Sequence, residues 1–382
     1  MDITIHPQKL SGNIAAIPSK SQAHRMLICA AFANKPTQLI CRQTNRDIEA
    51  TVDCLRALGA EIIVTDCGYT IYPITEIPDC AELNCHESGS TLRFMLPIVG
   101  ALGVTGTFLL AGRLPSRPLS PLWEEMERMG CFLSRPSENS IQCTGKLKNG
   151  EYVIDGSVSS QFITGLMFAH MLMEHCSLTI TGKLESKPYV DLTKEAIRMF
   201  SDEHHPELIA IEGDWSNGAF WLSANALGCD LNIEGLNVNS YQGDRVVVDI
   251  LTELENGTPT ISAADIPDLV PILSVVAAAK HGAVFTDIQR LRLKESDRVA
   301  SVIALLDNLG GFATATEDTL IISPAVLTGG TVDSCNDHRI AMSAAIAATV
   351  CTHPVTIKGP DAIQKSYPTF WAEYHRLGGK YE

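Results

Sequence analysis

Two kinds of helical segment alternate along this chain. One is short and almost wholly apolar or small, and opens on Ser, Asn, Asp or Gly. Six such segments start at Ser21, Ser88, Ser159, Ser216, Asp268 and Asp337. The other is amphipathic, with apolar residues at helical spacing and charges between them. Its six members run from about Asp47, Ser120, Val190, Gly243, Ser296 and Pro368. Four amphipathic segments end on the same stop, Leu58-Gly59-Ala60, Met129-Gly130-Cys131, Leu309-Gly310-Gly311 and Leu377-Gly378-Gly379. Glycine there fits the left-handed residue that closes a helix. After the first three stops come two short strand-like runs, such as Glu61–Val64 and Thr70–Tyr72, bridged by Asp66-Cys67-Gly68.

This pattern predicts a six-fold repeat of strand, buried helix, strand, amphipathic helix and paired strands. The all-apolar helices must pack on one another, and the amphipathic ones must cover the sheets. Six units are too many for one core, so three per domain is expected. The third and fourth units read as abbreviated. After Phe200 and after Glu255 the helix ends without the Leu-Gly stop, and one short strand candidate follows each, Leu208–Ile211 and Thr258–Ser262.

Composition narrows the class. The chain has 382 residues, 45% hydrophobic and 19% charged, as in folded soluble proteins. Its apolar runs, such as Phe162–Leu172 and Leu269–Ala279, are too short to span a bilayer. The opening MDITIHPQKL does not read as a signal peptide. None of the twelve cysteines forms a CxxC pair, which fits reduced thiols and a cytoplasmic protein. The run Asp202-Glu203-His204-His205 reads as a solvated turn rather than a metal site. A net charge of −15 argues against nucleic acid as a partner. It also makes each local gathering of cations informative, because an acidic chain that clusters Arg and Lys uses them on a small anion.

Those gatherings lie at helix starts, where free N–H groups and the helix dipole favour anions. Pro18-Ser19-Lys20-Ser21 leads to Arg25, four residues after Ser21 and on the same face. Glu87-Ser88-Gly89-Ser90-Thr91-Leu92-Arg93 places a glycine where a ligand can approach the backbone. Ser116-Arg117-Pro118 holds an arginine in a proline-framed loop, and Ser159-Ser160-Gln161 opens the third buried helix. In the second half, Ile266-Pro267-Asp268 puts a carboxylate at a helix start. Arg290-Leu291-Arg292-Leu293-Lys294-Glu295-Ser296-Asp297-Arg298 is dense with both signs, Asn336-Asp337-His338-Arg339 opens the last buried helix, and Lys365-Ser366-Tyr367-Pro368 precedes the final amphipathic one.

In this order and register, the strings resemble the 5-enolpyruvylshikimate-3-phosphate synthases (3-phosphoshikimate 1-carboxyvinyltransferases) of the enolpyruvyl transferase family, over nearly the whole chain. The resemblance implies an α/β (α+β), two-domain enolpyruvyl transferase fold of six βαβαββ-type repeats, three per domain. It implies a first domain over 13–228 and a second built from 1–12 with 229–382, with the active site in the cleft between them. The implied reaction joins phosphoenolpyruvate to the 5-hydroxyl of shikimate 3-phosphate with release of phosphate, in the shikimate pathway to chorismate and aromatic amino acids. By resemblance, Lys20, Ser21, Arg25, Ser159, Ser160, Gln161, Ser186, Asp268 and Lys294 line the shikimate 3-phosphate pocket. Lys20, Gly89, Arg117, Gln161, Arg298, Arg339 and Lys365 surround phosphoenolpyruvate, and Arg93 fixes the glycine loop. Asp268, Glu295 and Lys20 are the catalytic candidates. No cofactor or metal is implied, and a monomer with no membrane or nucleic-acid partner is expected. Two alternatives share the fold: the sister enzyme acting on UDP-N-acetylglucosamine, which has a cysteine acid where this chain has Arg117, and a non-catalytic binder of an anionic metabolite.

Overall fold

A computed structural model of the chain describes residues 2–201 and 205–382. The chain divides into two compact units, Pro18–Glu212 and a second that joins the N-terminal stretch through Ile17 to Gly213–Glu382. The expected boundaries at 13 and 228 therefore do not coincide with the division. The strand Ser11–Ala15 pairs in parallel with Asp230–Glu234, which keeps Ser11–Ala15 and the helix before Gly228 in the second unit.

In the Pro18–Glu212 unit the helices are α1 (Lys20–Ala31), α2 (Arg46–Ala57), α3 (Gly89–Leu102), α4 (Leu122–Arg128), α5 (Ser160–Met171) and α6 (Lys187–Ser201). The odd-numbered three are the predicted buried helices. Nearly every residue of α3 is buried, and Phe94, Phe162 and Phe168 fill the centre of the core. Each such aromatic contributes about 1.5–3 kcal/mol by leaving water. The strand Cys80–His86, α3, Thr105–Leu110, α4 and the hairpin Cys131–Ser137 with Ser140–Gly145 form one complete repeat, whose four strands make one sheet.

The other unit holds α7 (Trp215–Ala226), α8 (Val247–Asn256), α9 (Val270–Ala279), α10 (Arg298–Asn308), α11 (His338–Ala347) and α12 (Phe370–Arg376). Again the odd-numbered helices are enclosed. Trp221 stacks on Phe370 with ring centres 5.1 Å apart and donates its indole N–H to Tyr367 Oη at 3.2 Å. Among the described residues no helix is long and apolar enough to cross a membrane.

Among the described residues four sheets have four strands and two have only two, Gly150–Asp155 with Cys176–Thr181 and Ser11–Ala15 with Asp230–Glu234. These belong to the third and fourth repeats, which are the ones expected to be short. The single strand candidates after them turn out to serve other repeats. Leu208–Ala210 pairs with Thr37–Ile40, and Thr260–Ser262 pairs with Ala283–Thr286. Each shortened repeat thus keeps its parallel pair and lacks both antiparallel strands among the described residues.

All four glycine stops have positive φ. At Gly59 a Cβ would also lie 2.6 Å from the Glu76 carbonyl oxygen, so no other residue fits. Three residues of the expected solvated turn, 202–204, lie outside the described residues. The fourth, His205, is buried rather than solvated, with Nε2 3.3 Å from Thr37 Oγ1 and its ring 4.9 Å from that of Phe200.

Candidate active site

In the Pro18–Glu212 unit, the starts of α1, α3 and α5 bring predicted residues together. Ser19 caps α1, so the helix begins at Lys20, one residue before the expected start. Lys20 Nζ lies 2.9 Å from Asp47 Oδ2 in the first turn of α2, and both side chains are largely enclosed. Arg25 is 2% exposed, and much of its donor capacity is spent inside the unit. Its Nε donates to Thr193 Oγ1 at 2.8 Å, Nη1 to the Ser21 carbonyl at 2.6 Å, and Nη2 to the Tyr189 carbonyl at 2.9 Å. Burial pulls this guanidinium down to about 10.

Ser88 caps α3, and Gly89 follows. A Cβ on Gly89 would stand 2.7 Å from Arg117 Nη1 and 3.0 Å from Arg93 Nη1. Two guanidinium groups thus lie against its backbone, and a side chain there would have to push them aside, which adds to the expectation that a ligand approaches there. Gln161 ties α5 to the same place. Its Oε1 accepts from Arg93 Nη1 at 2.7 Å, and its Nε2 donates to Ser90 Oγ at 2.9 Å. Arg93 also donates to the Pro118 carbonyl at 3.1 Å, which anchors the loop carrying Arg117. Ser159 caps α5 and Ser160 is buried beside it. Ser186, also buried, turns the chain into α6 with a φ of +55°.

In the other unit, one guanidinium collects three carboxylates. Arg298 is 1% exposed. Its Nη1 lies 2.6 Å from Asp268 Oδ1, its Nη2 2.9 Å from Glu295 Oε2, and its Nε 2.9 Å from Asp337 Oδ2. Asp337 also caps α11 and accepts from Ser296 Oγ at 3.0 Å. Asp268 does not cap α9, contrary to a simple reading of its place at the helix start. Its second oxygen instead lies 3.4 Å from Arg339 Nη2, and Arg339 Nη1 donates to the Ser216 carbonyl at 2.8 Å. Lys365 Nζ donates to the Asn336 carbonyl at 2.8 Å.

Burial alone would raise the Asp268 carboxyl, but Arg339, Arg298 and Lys294 outweigh it and hold it well below the usual carboxylate range. Desolvation acts the other way on Lys294, with Arg290 and Arg298 adding to it, and brings its ammonium down to about 8. Desolvation, with Asp268 nearby, raises the Asp244 carboxyl to about 7, against its bond to Ser216 Oγ.

The contacts thus join Gly89, Arg93, Arg117 and Gln161 in one unit and Asp268, Glu295, Arg298 and Arg339 in the other, while Lys365 meets the Asn336 carbonyl and Ser186 lies at the start of α6. Sequence reasoning missed Asp47 as the partner of Lys20 and Asp337 as the third carboxylate on Arg298. Acids at helix starts are read by default as caps or dipole partners, and only a known neighbouring cation would have said otherwise.

A family model for EPSP synthase (3-phosphoshikimate 1-carboxyvinyltransferase) matches residues 5–374. The chain belongs to the EPSP synthase family. It is 37% identical to the 3-phosphoshikimate 1-carboxyvinyltransferase of Clostridium kluyveri, over 99% of this chain and 97% of that one. It is also 37% identical to the enzyme of the same name from Clostridium perfringens, over 99% and 98%. The first alignment runs over 415 positions against the 382 residues here, so that relative carries segments this chain lacks. Among solved structures it is similar to EPSP synthase from Acinetobacter baumannii, with a TM-score of 0.79 at 23% identity, covering 100% of this chain and 99% of that one. It is also similar to the enolpyruvyl transferase NikO from Streptomyces tendae, with a TM-score of 0.74 at 16% identity, covering 100% and 98%. These two likenesses show the fold, which is that of the enolpyruvyl transferases.

Proposed function

We propose that this EPSP synthase family member transfers the enolpyruvyl group of phosphoenolpyruvate to the 5-hydroxyl of shikimate 3-phosphate, and that its two clusters serve that one reaction. The observation that carries the proposal is the Arg298 cluster, where Asp268 and Glu295 are held on the same guanidinium, beside Arg339 and Lys294. A pure anion receptor has no use for two carboxylates kept among its cations. A reaction that takes a proton from oxygen and gives one to carbon needs both.

In this scheme Lys20, Gly89, Arg117, Gln161, Arg298, Arg339 and Lys365 receive the phosphate and carboxylate of phosphoenolpyruvate. Lys20, Ser21, Arg25, Ser159, Ser160, Gln161, Ser186, Asp268 and Lys294 receive shikimate 3-phosphate, so Lys20 and Gln161 serve both ligands. Asp268, ionised at neutral pH, accepts the 5-hydroxyl proton as the new C–O bond forms at the enol carbon. Glu295 delivers a proton to the methylene carbon, giving a tetrahedral adduct. Loss of a methyl proton and of phosphate then regenerates the enol, now as the ether. Lys20 stabilises charge on the phosphate. No step draws on a metal or organic cofactor.

The test is proton NMR of the protein with both substrates. Enol-ether methylene signals of a new shikimate derivative are expected to grow as those of phosphoenolpyruvate fall. A folded protein that binds both compounds and forms no such product overturns the proposal.

Lys294 gives this reading a pH signature. Its ammonium discharges as pH rises through about 8, so affinity for shikimate 3-phosphate falls above that pH. Lys294→Arg, charged throughout, is expected to give a flat profile over the same range in calorimetric titrations. The sign for stability is opposite. Between about pH 8 and the lysine's ordinary value the unfolded chain holds the proton that the folded chain has lost, so the Lys294 contribution to stability rises with pH there.

A further inference from the structure

Below the first turns of α1, α2 and α3 runs a line of buried polar groups that the scheme above leaves unused. His24 Nδ1 lies 2.7 Å from Thr51 Oγ1, Thr51 Oγ1 lies 2.8 Å from Thr91 Oγ1, and Thr91 Oγ1 lies 2.7 Å from Ser88 Oγ. None of the four residues is more than 1% exposed. Taking hydroxyls and an imidazole out of water is costly unless each finds a partner, and packing alone would be served as well by Val or Ala. Their spacing is regular. His24 is four residues after Lys20, Thr51 four after Asp47, and Thr91 three after the cap Ser88, so each sits one turn deeper on the same helix face as a residue at the site.

The protons can be counted. The Thr91 hydroxyl donates to the Asp47 carbonyl at 3.3 Å. Thr91 Oγ1 then accepts from the hydroxyls of Thr51 and Ser88, since each hydroxyl has one proton to give. Thr51, its proton spent, accepts from His24 Nδ1–H. That leaves the lone pair on His24 Nε2, which is buried without a hydrogen-bond partner. The ring stays neutral, because burial, and after it the charges of Lys20 and Arg25, depress its pKa well below the usual value. The line therefore closes with all its hydroxyl protons assigned. It joins the helix that carries Lys20 to the helix that carries Gly89 through the helix whose Asp47 holds Lys20.

We infer that Thr51 is a positioning residue for phosphoenolpyruvate, fixing the Lys20 ammonium relative to the Gly89 backbone through its bonds to His24 and Thr91. The inference rests on the transfer reading for the identity of the ligand. Arg25 and Ser159, on the shikimate 3-phosphate side, are held by other bonds.

The test is Thr51→Val, which keeps the side-chain shape and removes the hydroxyl, with Thr51→Ser as the rescue. KM for phosphoenolpyruvate is expected to rise about tenfold, the factor typical of one buried hydrogen bond. The calorimetric Kd for shikimate 3-phosphate alone, where Lys20 is one contact among many, should rise less, by no more than about threefold, and Thr51→Ser should restore most of the loss. Phosphoenolpyruvate affinity is also measured calorimetrically without the second substrate. A wild type that binds and does not turn over would then count against the transfer reading while the comparison of variants still decides on Thr51. An unchanged affinity for phosphoenolpyruvate overturns the inference. So does an equal weakening for both ligands, which would mark a general loosening of the unit. If Thr51→Val does not fold, Thr91→Val cuts the same line at its next member and must show the same split.

Discussion

Glu295→Gln lowers kcat by about 10²–10⁴-fold while leaving both KM values within about threefold, the pattern of a lost proton carrier. The substitution is clean because glutamine keeps an oxygen that can accept from Arg298 Nη2, the bond seen at 2.9 Å. What is lost is the ionisable group, its negative charge and the proton it carries. Asp268→Asn is expected to cost at least as much, with a different signature. Asp268 meets Arg298 through one oxygen and Arg339 through the other, so an amide nitrogen must face one guanidinium donor with another. Part of its loss therefore appears in KM for phosphoenolpyruvate. The assignment of Glu295 is checked in deuterated water, where wild-type protein with shikimate 3-phosphate should wash deuterium into the phosphoenolpyruvate methylene. Exchange continuing at the wild-type rate in Glu295→Gln would remove Glu295 from the role of carbon acid.

Arg298→Met is expected to be the most damaging single change for stability as well as activity. It leaves Asp268, Glu295 and Asp337 without the cation they share, and Asp337 is fully buried. Breaking a buried pair by removing one partner costs about 3–5 kcal/mol. For a unit of this size that lowers Tm by roughly 10 °C. Arg298→Lys recovers little, because one ammonium cannot meet three carboxylates arranged around a planar fork. The pH dependence has a definite sign. In the wild type, Asp268 contributes stability above its ordinary pKa, lost as pH falls through its depressed one. In Arg298→Met the crowded carboxylates take up protons more readily than in the unfolded chain, so its deficit relative to wild type narrows as pH falls. Thermal melts of both proteins between about pH 5 and 8 check this, and a constant gap would contradict it.

The repeat was legible because its signals are local. Apolar runs opened by Ser or Asp, amphipathic runs closed by Leu-Gly, and hairpins after the stops each depend on neighbours within a few residues. The absence of the stop after Phe200 and Glu255 likewise pointed to the two short repeats. What could not be read were the non-local pairings. A three-residue strand such as Leu208–Ala210 carries no mark of its partner Thr37–Ile40, some 170 positions away in sequence. The division into compact units after Ile17 and Glu212, rather than at 13 and 228, has the same cause, since the pairing of Ser11–Ala15 with Asp230–Glu234 decides which unit those strands join.

At the site, the residue types and their helix starts were readable, and their internal partners were not. Arg25 reads as an open anion receptor, yet it spends donors on Thr193 and on the carbonyls of Ser21 and Tyr189. Asp268 reads as a cap and is instead an ion-pair partner of Arg298 and Arg339. The His24, Thr51 and Thr91 line lies in two buried helices and one amphipathic one that look ordinary in sequence, where single hydroxyls draw no notice until their contacts are seen.

The most direct measurement is release of inorganic phosphate by purified protein given phosphoenolpyruvate and shikimate 3-phosphate, beside a tube with UDP-N-acetylglucosamine as acceptor. Release with shikimate 3-phosphate alone is the predicted result, and it would also show that the antiparallel strands missing from the third and fourth repeats are dispensable for turnover. Silence in both tubes from folded protein, or release only with the nucleotide sugar, would contradict the account.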